Sequence, residues 1–121
     1  MAREKILIVE DNNSLSKLIV KKIESSLDFD VVTAYTYAEA QSLVEKNNDY
    51  FVALLDLNLP DAPDGEVVDM IISHKIPSIV LTGTMDKDIR EKILKKDVID
   101  YVYKGNIDDV NYIFTLIERL H

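Results

Sequence analysis

The feature that most narrows the folds open to this chain is an alternation that occurs five times along it. A short β-rich apolar run is followed each time by a stretch whose apolar residues return every three or four positions. The first run is Lys5–Val9, KILIV, and it stops at Glu10 and Asp11. Leu15, Leu18, Ile19, Ile23 and Leu27 then mark one helical face within residues 12–27, with Asn12 or Asn13 as N-cap. A second strand is predicted over residues 30–34, then a helix capped by Thr36 that turns Ala40, Leu43 and Val44 inward. Residues 51–56 read as a third strand. Pro60, Pro63 and Gly65 mark a loop, and Val67, Val68, Ile71 and Ile72 suit a third helix. A fourth strand (77–82) leads to a fourth helix (86–96) carrying Ile89, Ile93 and Leu94. A fifth strand (99–104) leads to a last helix that presents Val110, Ile113, Phe114, Ile117 and Leu120.

Five βα units predict an α/β fold, with a parallel sheet covered by helices on both faces. Sites in open sheets of this kind lie beyond the carboxyl ends of the strands. The first strand ends in Glu10 and Asp11, the third in Asp56, the fourth in Thr82 followed by Gly83 and Thr84, and the fifth in Lys104. If the first strand lies between the second and third, these side chains converge. Clustered carboxylates repel unless a proton or cation intervenes, and hard oxygen ligands favour Mg²⁺ over softer metals. Lys104 suits a phosphoryl oxygen and Thr82 another. A carboxylate such as Asp56 can be the nucleophile that becomes an aspartyl phosphate. Singly, each residue has a plainer explanation: a loop start or cap, a strand-end hydroxyl, a surface lysine. Their joint occurrence at four strand ends favours a site.

Composition removes several other classes. The 22 acidic residues outnumber the 14 basic ones, for a formal net charge of −8, which argues against a broad nucleic-acid surface. The absence of cysteine excludes disulfides, thiolate metal sites and cysteine nucleophiles. No apolar run approaches a membrane span, and the stretch MAREKILIVED lacks the apolar segment of a signal peptide, so a cytoplasmic location is expected.

The segments ILIVED, LLDLNLPD, VLTGT and DYVYKG, in this order and spacing, resemble the receiver domains of two-component response regulators, the CheY-like family. The resemblance covers essentially the whole chain. It implies a flavodoxin-like, doubly wound (βα)₅ three-layer sandwich with strand order 2-1-3-4-5, and a single receiver domain over residues 1–121, either free-standing or part of a longer regulator. By position, Asp56 matches the phosphoacceptor, and Glu10 and Asp11 the acidic pair that holds Mg²⁺, with Mn²⁺ as a substitute. Asn58 matches the residue whose backbone carbonyl completes the metal site. Thr82 and Lys104 match the switch hydroxyl and the phosphate-binding lysine. Tyr101 matches the switch aromatic, with Tyr103 a lesser candidate of the same strand parity, and Asn58 and Thr84 match positions that tune dephosphorylation.

The implied function is that of a signalling switch and not of an enzyme. A sensor histidine kinase or histidine phosphotransfer protein donates the phosphoryl group to Asp56, Tyr101 then turns inward, and the surface of the fourth helix, fifth strand and fifth helix changes. That surface is also where a homodimer is expected. Two further segments, LNLPDAPDGEVVD and IPSIVLTGTMD, resemble receivers fused to diguanylate cyclases, which makes such an output domain an expectation. Neither direct nucleic-acid binding nor membrane contact is expected. His74 and His121 are expected to lie away from the pocket.

The sequence departs from the family pattern twice. Gly105 stands where proline usually follows the lysine, and the Pro60–Gly65 loop is one residue longer than usual, with Asp61 and Asp64 expected to be solvated. A cis bond before Gly105 would cost about 2.5–4 kcal/mol and is not expected. The rival readings are a small Mg²⁺-dependent phosphatase-like enzyme, a flavodoxin-type cofactor protein and a pseudo-receiver that binds partners without phosphorylation. No cap insertion or Walker loop is present, and two acids follow the first strand where a flavin phosphate would sit.

Overall fold

The computed structural model describes residues 3–121. The elements run β1 (Lys5–Val9), α1 (Asn13–Ser26), β2 (Asp30–Ala34), α2 (Tyr37–Lys46), β3 (Val52–Asp56), α3 (Glu66–Ser73), β4 (Ser78–Thr82), α4 (Lys87–Leu94), β5 (Asp100–Tyr103) and α5 (Ile107–Leu120). All strand pairs are parallel, and the order is β2-β1-β3-β4-β5, as the resemblance implies. The chain therefore reverses direction across the sheet at β1, whose two neighbours are β2 and β3, and a crevice opens at their carboxyl ends.

Strand side chains alternate between faces. Ile6, Ile8, Val52, Leu54, Ile79, Leu81 and Val102 pack on one side against α1 and α5. Leu7, Val9, Ala53, Leu55 and Val80 pack on the other against α2, α3 and α4. The central strands β3 and β4 are buried along their whole length, so neither face tolerates a polar position until the strand ends. Each fully buried leucine or isoleucine here contributes about 1.5–3 kcal/mol of transfer free energy.

The helix ends follow the cap chemistry. Asn12 caps α1 through Leu15 N, Thr36 caps α2 through Glu39 N, and Asp86 caps α4 through Asp88 N and Ile89 N. Gly65 precedes α3 with φ of 79°, a left-handed conformation that a side chain would strain. The apolar stripes are narrower than the spacing predicts. In α1 the buried positions are Ser16, Ile19 and Ile23, which leaves Leu18, one residue off that line, exposed. In α4 only Ile93 is buried, Ile89 and Leu94 are exposed, and so is Leu120 in the last turn of α5.

Both histidines lie where expected, away from the strand ends that carry Asp56 and Lys104. His74 caps α3 and its Nδ1 is 2.9 Å from the Met70 carbonyl oxygen. His121 packs edge-on against Phe29 and Phe51.

No cis peptide occurs among the described residues, and Gly105 has a different physical role. A Cβ at this position would run into Cζ and Oη of Tyr103, whose ring lies across it. Gly105→Ala should therefore destabilise the protein by about 1 kcal/mol, the lower end of overpacking costs because the half-buried ring can yield. In a Tyr103→Ala background the same change should cost nothing measurable. Denaturant titration of the four proteins checks this, and an equal penalty in both backgrounds would show that the ring is irrelevant.

Candidate functional site

Strand parity brings three of the expected residues to one place. Glu10 follows the parity of Ile6 and Ile8, Asp56 that of Val52 and Leu54, and Lys104 that of Val102, all on the α1/α5 side. Each is held by a backbone hydrogen bond at or just past its strand end. Glu10 N donates to Ala34 O (3.1 Å), Leu57 N to Leu81 O (2.9 Å) and Lys104 N to Thr82 O (2.8 Å). Their side chains therefore start from fixed points on a rigid sheet.

The carboxylates of Glu10, Asp11 and Asp56 each place an oxygen within 4.8 Å of the others. Glu10 and Asp56 are almost wholly buried, whereas Asp11 is exposed. Lys104 offsets the charge: its Nζ donates to Glu10 Oε1 (2.8 Å) and Oε2 (3.0 Å) and lies 3.1 Å from Asp56 Oδ2. That last contact is poorly directed, and Asp56 Oδ2 is a buried oxygen without a hydrogen bond. Asp56 Oδ1 accepts from Asn58 N at 3.0 Å. Burial works to lower the Lys104 pKa, but its hydrogen bond to Glu10 and the charges of Glu10 and Asp56 outweigh it and hold the ammonium above its usual range. The neighbouring Asp56 carboxylate, together with partial burial, pushes the Asp11 carboxyl up. Three acids against one ammonium leave the pocket electron-rich, with Asp56 Oδ2 held only by its ion pair with Lys104. That is a donor set that fits a hard divalent cation.

The remaining expected residues stand differently. Thr82 has the parity of Val80 and is fully buried. Its Oγ1 accepts from Thr84 N (3.2 Å) and is 3.3 Å from Thr84 O, so the hydroxyl is turned to the loop that follows β4. Tyr101 already packs against the α2/α3/α4 core, with its hydroxyl buried and unpartnered. Tyr103, in register with Thr82, lies over Gly105. Asn58 is exposed, and its Nδ2 donates to Pro63 O at 2.8 Å, which commits the side chain to its own loop.

The longer loop corrects one expectation. Asp64 is exposed as anticipated, but Asp61 is more than a solvated acid: its Oδ1 accepts from Tyr37 N (2.8 Å) and its Oδ2 from Ala38 N (3.1 Å) at the start of α2. These bonds hold its carboxyl below the usual range, the one to Tyr37 first. No local spacing announces a cap that comes from 24 residues away. The direct Glu10–Lys104 pair, 94 residues apart in sequence, is equally silent.

The family model of the response regulator receiver domain matches residues 6–113. The cell cycle transcriptional regulator CtrA of Caulobacter vibrioides is 31% identical over 119 residues, covering 97% of this chain and 48% of that protein. The chain thus spans about half the length of this curated relative. A solved probable two-component system response regulator/GGDEF domain protein superposes with a TM-score of 0.87 at 34% identity, over 98% of this chain and 47% of that one. The Mn²⁺-bound form of response regulator Rcp1 superposes with a TM-score of 0.80 at 27% identity, over 95% of this chain and 91% of that one. With its five-stranded parallel fold and the acidic cluster at its strand ends, this chain belongs to the response regulator receiver domains, the signalling switches of two-component systems.

Proposed function

We propose that this receiver takes a phosphoryl group from a phosphohistidine onto Asp56 and holds it as an acyl phosphate. One observation carries the reading: Asp56 ends a rigid buried strand with one oxygen held only by the Lys104 ammonium 3.1 Å away, and with two further carboxylates beside it. In the transfer, an Asp56 oxygen forms the new P–O bond while the P–N bond of the donor breaks, and the leaving imidazole takes up a proton. Glu10, Asp11, Asp56 and the backbone carbonyl of Asn58 would hold the divalent cation, Mg²⁺ or Mn²⁺, which supplies charge neutralisation to the phosphoryl oxygens. Lys104 supplies a second positive charge. Its reach to both Glu10 and Asp56, made even with Gly105 in place of proline, supports an intact receiver over a pseudo-receiver.

Thr82 would leave its turn with Thr84 to bond a phosphoryl oxygen, shifting the population toward a state that this contact favours. Tyr101 sits inward already, so in this proposal the ring locks in place and its unpartnered hydroxyl acquires a bond. The responding surface is the one formed by α4, β5 and α5, where a second copy or an output partner would bind. The donor is a histidine kinase or a phosphotransfer protein. A fused output domain, a diguanylate cyclase among the options, fits a chain that covers 47% of the GGDEF-containing neighbour.

Two outcomes are expected. Incubation with acetyl phosphate and Mg²⁺ should add one phosphoryl group by intact mass, and Asp56→Asn should abolish it; labelling unchanged in that variant would place the chemistry elsewhere. The second concerns acidity. Because the folded Asp11 pKa is raised, its favourable contribution is full below its unfolded value near 3.9 and is lost as pH rises through the folded value. A cation replaces that proton, so the stabilisation on adding Mg²⁺ should be smaller at pH 4 than at pH 7. At a hundred times the dissociation constant the added stability should amount to about 2.7 kcal/mol, read as a rise in Tm. Asp11→Ala should remove most of it. A Tm that ignores Mg²⁺ at pH 7 would refute the cation site.

A further inference from the structure

The segment after β3 is part of the body of the protein and not a free loop. Leu57, Leu59 and Ala62 are buried, Ala62 N donates to Leu59 O (3.1 Å), and Asn58 Nδ2 reaches Pro63 O (2.8 Å). Between these contacts stands Asp61, three residues beyond Asn58, with both carboxylate oxygens on α2. A helix begins with backbone N–H groups that have no partner within it. In α2, Thr36 Oγ1 accepts from Glu39 N, which leaves Tyr37 N and Ala38 N; Asp61 takes both. The helix N-terminus also favours a negative charge at that point. The loop and the helix are thereby tied at two points.

The tie bears on the pocket through a short path. Asn58 N donates to the acceptor Asp56, and the carbonyl of the same residue is the one that would face the cation. Asp61 fixes the far side of the same turn. We propose that Asp61 is a positioning residue: by anchoring the loop to α2 it sets the Asn58 carbonyl against the carboxylates, so that cation affinity and phosphoryl uptake depend on a residue that touches neither. The inference rests on the proposed role of Asp56 and the acidic cluster.

The experiment uses the whole chain with Mg²⁺ and acetyl phosphate. Wild type is compared with Asp61→Ala, with Asp61→Asn, which keeps one acceptor oxygen, and with Tyr37→Pro against Tyr37→Ala. Proline is tolerated at the first helical position and removes the donor, while the alanine variant controls for the lost ring. Amide hydrogen exchange at residues 37 and 38 reports the tie, NMR titration the Mg²⁺ affinity, and intact mass the phosphorylation rate. Asp61→Ala should free both amides and weaken Mg²⁺ about tenfold, the scale on which groups supporting a metal's ligands act. Asp61→Asn should fall between, and Tyr37→Pro should bind Mg²⁺ more weakly than Tyr37→Ala. If Asp61→Ala does not fold, the asparagine variant and the proline–alanine pair decide. Freed amides with Mg²⁺ affinity within about twofold of wild type would overturn the inference, as would amides that stay protected. A wild-type chain that takes up neither Mg²⁺ nor phosphoryl would instead refute the reading on which it rests.

Discussion

The ammonium of Lys104 is what allows the centre of this protein to exist. Two carboxylates, Glu10 and Asp56, are almost fully buried at the ends of neighbouring strands, with Asp11 beside them. Such a group of like charges opposes folding unless it is compensated. Lys104 reaches both buried acids from β5, across β4, and so links the two halves of the sheet. The compensation is incomplete, because one oxygen of Asp56 has no hydrogen bond and Asp11 has its pKa pushed up. The residual charge that remains after Lys104 is what would make the pocket receptive to a cation.

The sequence displays most of the frame on which this pocket stands. Short apolar runs and apolar residues returning every three or four positions located all ten elements, because strands covered on both faces and helices covered on one impose those patterns. The strand-end rule then selected Glu10, Asp56, Thr82 and Lys104 before any distance was known. Leu18 and Leu120 show the limit of periodicity: a stripe on a helix gives the direction of the core but not how far the neighbouring elements extend over it.

What the sequence hides are contacts between residues that no local pattern relates. Glu10 and Lys104 meet because parallel strands align their ends, and Asp61 meets α2 because the β3–α3 turn folds back over the structure. The same holds for Tyr103 and Gly105. As sequence, the glycine is a missing proline; in three dimensions it is the space that an aromatic ring occupies. The side chains of Thr82 and Asn58 are likewise committed to Thr84 and Pro63, choices that hydrogen-bond geometry makes and residue type does not.

The strand parities carry a further consequence. Glu10, Asp56 and Lys104 belong to the face shared with α1 and α5, whereas Thr82, Tyr101 and Tyr103 belong to the face shared with α2, α3 and α4. The sheet is thus a partition one residue thick, with the buried acids and their lysine on one side and the residues proposed to respond to phosphorylation on the other. In the proposed function the two sides would meet at the strand ends, where Thr82 would reach a phosphoryl oxygen. Under the proposed function, the two layers can diverge separately: drift in the α1/α5 packing would retune the reaction, and drift in the opposite layer would alter the surface that answers it.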